Sequence, residues 1–420
     1  MVKQGYKQTE IGVIPEDWTV DTIDSVTLSV ATGGNYKNSI QRSPYPLIKM
    51  GNLSRGHINL NKIEYVIDSV PSEKDRLSYG DVLFNTRNTP ELVGKVAVWK
   101  NELPIAYFNS NLLRFNFNCE KSNSFFMNLI FNTKQVIAEF KNISKGTTSV
   151  AAIYPQDMLK VKIKIPPIQE QNRIAEALSD VDSMISSLEK LIAKKKNVKQ
   201  GAMQELLTGK KRLLGFTGEW VEKKIEDIVV RFATGLNPRQ NFKLNNGGTN
   251  YYVTIKDFRE GKLFLDDACD RIDNEALARI NERSDLRKND LLFSSIGRIG
   301  DAYLITETPK NWNINESVFT LRPNLQIIYP LMLFYLLTSE DIKNKLLDST
   351  TGSTLKSIKL GHLKEIFCRF PQDIGEQIAI SSILSDMDNE IESLEQKLAK
   401  ARQVKQGMMQ QLLTGKIRLV

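Results

Sequence analysis

A stretch of 46 residues occurs twice in this chain of 420 residues, and it constrains the fold more than any other feature. Residues 168–213 and 374–419 align without a gap, and about 27 of the 46 positions are identical, which marks an internal repeat. A longer and more variable segment precedes each copy. The chain is therefore expected to contain two copies of one body followed by one conserved element.

Each copy of the repeat has the pattern of one long helix. Apolar residues recur at alternating steps of four and three, which is the seam of a coiled coil. The two seams consist of Ile174, Leu178, Val181, Ile185, Leu188 and Ile192, and of Ile380, Leu384, Met387, Ile391, Leu394 and Leu398. Gly209 and Gly415 then favour helix ends. Matching seams predict that the helices pair, although a seam buried in an ordinary bundle core is the alternative.

Symmetry fixes the expected direction of the two helices. The first helix leaves the first body and enters the second, so pseudo-twofold symmetry requires the second helix to run back to the first body. The pair is then antiparallel, and the segment after Thr414 lies near residues 9–18. We also predict that residues 1–165 and 214–370 are the two bodies, and that residues 166–213 and 371–420 are the spacer helices.

The two bodies are weakly related to each other. Trp18 and Trp220 open matched segments, and Ala-Thr-Gly recurs at residues 31–33 and 233–235. Short apolar stretches bounded by glycine and polar residues predict strands, and residues 124–141 and 330–347 predict one helix in each body. Each body is therefore expected to be a mixed α/β (α+β) domain of about 150 residues, which is an ordinary domain size.

Composition excludes several classes of protein. Lysine and arginine total 57 against 49 acidic residues, a net charge of +8 that suits a polyanionic partner without proving one. No apolar stretch reaches the roughly 18 residues that span a bilayer, and the N-terminal residues lack the apolar core of a signal peptide. A cytoplasmic protein with no membrane partner is expected. Three cysteines and two histidines give no zinc or disulfide spacing.

Catalytic motifs are missing from the sequence. No phosphate-binding loop of the GxxxxGK[ST] type precedes a predicted helix, and no GxGxxG follows a predicted strand. No Asn-Pro-Pro-aromatic tetrapeptide of amino-methyltransferases is present either. His57 and His362 stand in no recognisable catalytic setting. We expect a chain without catalytic residues, metal or cofactor, which argues against a fused nuclease or methyltransferase.

Polar loops in both bodies carry side-chain types that are suited to reading DNA. Arginine and lysine pair with guanine, asparagine and glutamine pair with adenine, and serine and threonine bind phosphates. The candidates in the first body are Asn35, Tyr36, Lys37, Asn52, Arg55, Arg87, Asn88, Asn109, Asn111, Thr147 and Thr148. Those in the second body are Asn237, Arg239, Lys256, Arg259, Arg298, Asn313, Asn315, Ser353 and Thr354. The alternative is that asparagine and glycine only form turns. The basic run 194–196 could bind phosphate or form a solvated helix face.

The whole chain resembles the specificity subunit of type I restriction-modification systems. Variable bodies alternate with near-identical helices that open at Glu170-Gln171 and Glu376-Gln377 and close on Leu-Leu-Thr-Gly-Lys. The segment 9–18 is similar to the usual start of that family. One departure is an extra residue between Pro371 and the second Glu-Gln pair, so the second helix could begin differently.

The resemblance implies a non-catalytic, sequence-specific DNA reader. Each body would be a target recognition domain for one half of a bipartite asymmetric site, and the paired helices would set the gap. Two modification subunits carrying S-adenosylmethionine and methylating adenine would dock on the helices, and ATP-dependent restriction subunits would join through them. The competing class is a coiled-coil scaffold that holds two interaction domains apart and shows no preference among DNA duplexes.

Overall fold

The computed structural model describes residues 4–147, 149–245, 247–348 and 357–420. The chain forms two compact units, the first made of residues Met1–Glu189 and Lys397–Val420 and the second of Lys190–Gln396. Two helices of 39 residues each begin in one unit and end in the other. Each unit is thus one body with half of each long helix. The predicted architecture of two mixed α/β bodies and two long helices is confirmed.

The first unit contains a four-stranded sheet in the order β10-β8-β12-β4. Its strands are β1 (Tyr6–Thr9), β2 (Gly12–Pro15), β3 (Thr19–Thr22), β4 (Thr27–Thr32), β5 (Asn38–Ser39), β6 (Pro46–Ile48), β7 (Glu64–Val66), β8 (Val82–Asn85), β9 (Arg87–Asn88), β10 (Val96–Val98), β11 (Tyr107–Phe108), β12 (Leu112–Phe117), β13 (Lys145–Gly146), β14 (Ala151–Ala152) and β15 (Lys162–Ile165). Its helices are α1 (Ser124–Phe131), α2 (Lys134–Asn142), α3 (Pro155–Met158), the first half of α4 (Ile168–Leu206) and the end of the C-terminal helix, from Lys397 onward.

The second unit repeats this sheet in the order β17-β25-β22-β23. Its strands are β16 (Trp220–Lys224), β17 (Val229–Thr234), β18 (Asn250–Val253), β19 (Phe258–Arg259), β20 (Lys262–Leu263), β21 (Asp270–Ile272), β22 (Leu291–Ser294), β23 (Ala302–Leu304), β24 (Trp312–Ile314), β25 (Val318–Pro323) and β26 (Phe367–Pro371). Its helices are the second half of α4, from Lys190 onward, then α5 (Ile225–Ile228), α6 (Pro238–Asn241), α7 (Asn274–Ser284), α8 (Pro330–Thr338), α9 (Glu340–Asp348), α10 (Leu360–Lys364) and the first half of α11 (Ile374–Leu412).

Strand β8 shows why each sheet is buried on both faces. Successive side chains of a strand point to opposite faces, so Val82 and Phe84 enter one apolar cluster while Leu83 enters another. Phe84 packs edge-on against Phe140 of α2, with 5.1 Å between ring centroids. An apolar strand without polar alternation is the pattern expected for a central strand covered on both sides.

The single helices predicted for residues 124–141 and 330–347 are wrong in one respect, because each is two helices. The first breaks between α1 and α2, where the Thr133 hydroxyl accepts a hydrogen bond from the Val136 amide. The second breaks between α8 and α9, where the Ser339 hydroxyl accepts from the Ile342 amide. Serine and threonine at these positions satisfy the free amides of a new helix start, so a short hydroxyl side chain ends one helix and begins another.

The long helices α4 and α11 begin at equivalent positions despite the extra residue before the second. Asp373 lies in the additional space, and its carboxylate accepts a hydrogen bond from the Gly375 amide. Both helices end before a glycine in the left-handed region, with φ of 70° at Gly209 and 72° at Gly415. The two helix ends are therefore the same, as the repeat predicts, and only the entry to α11 differs.

The helix halves pair in antiparallel directions in both units. In the first unit Asp182 pairs with Lys405 at 2.5 Å, and Glu189 pairs with Arg402 at 2.6 Å. The second unit repeats the arrangement with the pairs Lys195–Glu390 and Lys199–Asp388. One partner number rises while the other falls, which confirms the antiparallel prediction. Six of the predicted seam residues are buried: Ile174, Leu178, Ile192, Ile380, Leu384 and Ile391. The other six are partly exposed: Val181, Ile185, Leu188, Met387, Leu394 and Leu398.

The segment after α11 returns to the start of the chain, as predicted. The Tyr6 hydroxyl donates a hydrogen bond to the Gly415 carbonyl at 2.9 Å, and Arg418 pairs with Asp17 at 2.6 Å. Arg418 also binds both carboxylate oxygens of Glu170, which accepts a further hydrogen bond from the Trp18 indole. In the second unit Arg212 binds both oxygens of the buried Glu376 in the same way.

Candidate nucleic-acid interface

One end of the central sheet brings the polar loops of the first unit together. The Gly33 amide donates to the Leu112 carbonyl at 3.3 Å, and the Thr86 hydroxyl donates to the Asn111 carbonyl at 3.0 Å. The hairpin of β13 and β14 joins the same end, since Ala152 pairs with Arg87. Residues 33–37, 85–88, 109–111 and 145–147 are here called the first loop cluster.

The second unit has a corresponding second loop cluster, formed by residues 235–239, 295–298 and 315–317. The Gly235 amide donates to the Asn315 carbonyl at 3.1 Å, and the Ser295 hydroxyl donates to the Ser317 carbonyl at 2.6 Å. Ile358 pairs with Ser295 through its amide, as β14 pairs near β9 in the first unit. The same frame therefore presents different side chains in the two units.

The repeated Ala-Thr-Gly is explained by a close crossing of two backbone segments. A Cβ atom on Gly33 would lie 2.1 Å from the Phe108 carbonyl oxygen, and one on Gly235 would lie 1.7 Å from that of Ile314. No side chain fits at either distance. Glycine is required for the chain to leave β4 or β17 and enter its loop cluster.

Several predicted side chains of the loop clusters are exposed and available. Asn35 and Arg87 are exposed in the first unit, and Arg239 is exposed in the second. Thr147 is exposed too, but its hydroxyl accepts a hydrogen bond from the Val150 amide within the turn. The Arg87 guanidinium makes no hydrogen bond or ion pair within the described part of the chain. Arg259 is also exposed, and its guanidinium lies 5.0 Å from the centre of the Phe264 ring. These side chains combine positive charge with free donors, which is what a nucleic-acid surface needs.

Other predicted residues are already engaged within the protein. Asn52, Asn109 and Asn313 are buried, and their amides bind neighbouring groups: Asn52 bridges Lys49 and Asn59, and Asn313 binds Ser284 and Asn281. Asn88, Asn111 and Asn315 are half-buried in the loops, and the Asn88 and Asn315 side chains accept from backbone amides nearby. Asn109 likewise accepts a hydrogen bond from the Asn111 amide through its side-chain oxygen. Because all three side chains are buried and bonded within the protein, we do not propose them as DNA contacts.

Four predicted basic residues differ in how strongly they interact with the rest of the protein. Arg298 binds Asp301 at 2.9 Å and the carbonyls of Ile255 and Phe258, so its guanidinium fixes a loop. Burial lowers the pKa of Arg55, whose side chain is half-buried. Lys37 pairs with Asp68 and Lys256 with Asp270, but both pairs are solvent-exposed and weak. These two lysines remain free to exchange their partner for a phosphate.

The remaining candidates include one polar cluster and three residues outside the described ranges. The Tyr36 hydroxyl donates to the buried Asp75 and accepts from the Ser72 amide, while burial raises the pKa of Tyr36. Asn237 begins α6 and also binds Glu316. Thr148, Ser353 and Thr354 lie outside the described residues.

Sequence reasoning missed one acidic residue of the second loop cluster. Glu316 occupies the position that Ser110 has in the first unit, and an acidic side chain is not expected beside phosphates. The alignment of Glu316 with the neutral Ser110 was the signal in the sequence that could have identified it.

Within the described ranges no cluster of histidine, cysteine and acidic side chains could hold a metal. None of the described helices combines the length and the apolar character that a membrane span requires.

A family model described as the type I restriction modification DNA specificity domain matches residues 15–200 and again residues 217–403. The chain belongs to the type I restriction-modification specificity family. The two matches correspond to the two bodies with most of their following helices. The duplicated loop clusters are therefore features of a specificity subunit, and the chain is not one of the catalytic subunits.

Two relatives and one solved structure align with almost the whole length of this chain. The putative type I restriction enzyme MjaX specificity subunit of Methanocaldococcus jannaschii is 27% identical over 423 residues, which cover 99% of this chain and 97% of the relative. The type I restriction enzyme EcoBI specificity subunit of Escherichia coli is 24% identical, with 96% and 87% covered. A crystal structure of a type I restriction-modification S subunit from M. genitalium shares the fold with a TM-score of 0.59 at 16% identity, covering 94% of this chain and 96% of that one.

Proposed function

We propose that the specificity subunit reads a bipartite, asymmetric DNA site, with one loop cluster for each half-site. The observation that carries the proposal is that equivalent sheets and backbone pairings position the two loop clusters, whereas the side chains of the two clusters differ. Arg87 and Asn35 project from the first loop cluster, whereas Arg239 projects from the second. Because base edges are distinguished by the donors and acceptors that face them, two unlike clusters would select two unlike half-sites.

Modification subunits are proposed to dock on the long helices, and restriction subunits to join through them. An apolar stripe on α4 supports this, since Met184, Leu191 and Val198 recur every seven residues and are 39–51% exposed. Apolar residues at this spacing on one helix face fit a groove in a partner protein. S-adenosylmethionine and the catalytic groups for adenine methylation would belong to the modification subunits, and the specificity subunit would bind no cofactor itself.

The alternative function is a coiled-coil scaffold without sequence preference. Selection from a random pool of duplexes, using the specificity subunit assembled with its modification subunits, separates the two functions. Enrichment of two half-sites at a fixed gap is expected. If the pool remains random after selection, the chain has no sequence preference and the scaffold function is supported instead.

Replacing Arg87 by alanine is expected to weaken discrimination at one position of one half-site. If the free guanidinium binds guanine through two hydrogen bonds, about 1–3 kcal/mol of discrimination is lost. Competition binding with duplexes that vary one base at a time measures this loss. Lys121→Ala is the control, because the exposed Lys121 side chain makes no ion pair within the described ranges and lies beyond β12 at the opposite end of the same sheet. Equal losses on cognate and random duplexes would make Arg87 a phosphate contact instead.

The purified specificity subunit is expected to transfer no methyl group to DNA by itself. The sequence carries no methyl-donor motif, so labelled S-adenosylmethionine should leave DNA unlabelled until a modification subunit is added. The reconstituted mixture is the positive control on the same duplex. Label in DNA incubated with the isolated chain would contradict the assignment of catalysis to the partner.

A further inference from the structure

Glu316 is an acidic side chain placed among the DNA-facing candidates of the second unit. It lies in the second loop cluster between Asn315 and Ser317, and it is only partly exposed. The equivalent residue in the first loop cluster is Ser110, as the shared pairing of Thr86 with Asn111 and Ser295 with Ser317 shows. The two half-site surfaces thus differ by one carboxylate.

Neutral side chains hold this carboxylate in place. The Asn237 amide donates to Oε1 at 2.8 Å, and the Tyr252 hydroxyl lies 3.4 Å from Oε2. The same hydroxyl is only 2.6 Å from the Leu236 carbonyl, and it has a single proton to donate. Burial first, and then the neighbouring Glu316, raise the pKa of Tyr252, so the hydroxyl remains a donor. Oε2 of Glu316 therefore shares the Tyr252 proton with the Leu236 carbonyl and can accept another hydrogen bond.

No cation neutralises Glu316 within the described ranges. Ion pairs with a nitrogen–oxygen distance up to 4.0 Å engage the neighbouring Asp301 and Asp285, but none involves Glu316. A carboxylate has about four acceptor positions, and at most two are occupied here. Asn237 and Tyr252 therefore hold the Glu316 carboxylate in position, and it keeps acceptor positions that no side chain of the described ranges occupies.

The equivalent support is missing from the first unit. Register along β18 and β24 places Tyr252 one residue before the Val253–Ile314 pair, and Leu47 has that position beside Ile48–Phe108 in the first unit. Leu47 is buried and cannot hydrogen-bond through its side chain. The acidic residue and its tyrosine therefore occur together in the second unit and are both replaced in the first.

We propose that Glu316 is a specificity-determining residue that accepts a hydrogen bond from the exocyclic amino group of cytosine or adenine in the second half-site. This inference rests on the proposed function. Phosphate repels a carboxylate, and in the major groove guanine and thymine present acceptors at the positions where cytosine N4 and adenine N6 present donors. An amino-bearing base is thus the DNA group that Glu316 can bind, and the first half-site carries no such requirement from Ser110.

The test is selection of duplexes by the assembled complex carrying Glu316→Gln, Glu316→Ser or no substitution. The unsubstituted complex should require cytosine or adenine at one position of the second half-site, and the base recovered identifies which amino group is bound. Glu316→Ser should reduce that preference by about tenfold or more, while every other position stays the same. Glu316→Gln keeps an acceptor but removes the charge, so affinity for random duplex should rise as the preference weakens.

Two controls distinguish a loss of base preference caused by Glu316 from a general loss of DNA binding. Glu307→Gln removes a carboxylate beyond β23, at the opposite end of the same sheet, and should change neither preference nor random binding. Arg87→Ala should alter the other half-site in the same assay. An unchanged preference in Glu316→Ser, or weaker binding to all duplexes in Glu316→Gln, would overturn the assignment. If the unsubstituted complex selects no half-sites, the proposed function itself fails.

Discussion

Removing one heptad from each long helix is expected to shorten the gap between the half-sites by about three base pairs. Seven helical residues rise about 10 Å, and one base pair rises about 3.4 Å. The deletion of Met184–Lys190 from α4 and Glu390–Gln396 from α11 keeps the seam in register, because the apolar pattern repeats every seven residues. The half-site sequences should stay unchanged, since both loop clusters are intact.

Sequencing of methylated adenines in cells that contain the shortened subunit and its partners would measure the new gap. A deletion of two residues from each helix is the matched control, because two residues turn a helix by about 200°, which points the following seam residues away from the partner helix and should abolish assembly. Methylation with the original gap, or at new half-site sequences, would show that the helices do not set the spacing.

Replacing Arg418 by alanine is expected to destabilise the first unit by about 3 kcal/mol. The substitution leaves the carboxylate of Glu170, which is 2% exposed, without its cation while it remains buried beside Trp18. Breaking a buried ion pair costs far more than losing an exposed one, since the remaining charge keeps its desolvation penalty. Hydrogen exchange should increase across β1, β2 and β3 and stay unchanged in the second unit.

Arg402→Ala provides the comparison for this effect. Arg402 pairs with Glu189 on the helix surface, where the two side chains are 60% and 47% exposed. Loss of such a pair changes the free energy of unfolding by about 0.5 kcal/mol or less. If the two substitutions have equal effects on exchange in the first unit, the buried pair at Arg418 contributes no more than a surface contact.

The helices could be predicted closely from sequence because their pattern is local and repeated. Spacing alone gives the seam, the glycine ends and, with symmetry, the antiparallel direction. The Glu-Gln pair at the start of each helix was visible only as a motif. The structure explains the second member: Gln171 donates to the Pro166 carbonyl and accepts from the Asn123 amide, and Gln377 binds Pro371 and Tyr329 in the same way.

The loop clusters were harder to predict because one residue type serves two purposes. Asparagine is suited both to reading adenine and to closing turns, and only contacts with distant residues decide between them. Asn313 is fully buried by Ser284 and Asn281, which lie about thirty residues away in sequence. Glu316 was missed for the opposite reason. An acidic residue is not expected to contact DNA from sequence alone, and only the structure shows that neutral side chains hold its carboxylate in place.

The division of the chain between the two units has a consequence for biosynthesis. The second unit is one continuous stretch, Lys190–Gln396, whereas the first combines Met1–Glu189 with Lys397–Val420. On the ribosome the second unit can therefore be completed while the first still lacks the residues that cover Glu170. Because translation adds about 5–20 residues per second, the first body waits tens of seconds at most for its helix partner. During that interval the apolar seam of α4 in the first unit lacks the α11 residues that cover it and is exposed to other apolar surfaces.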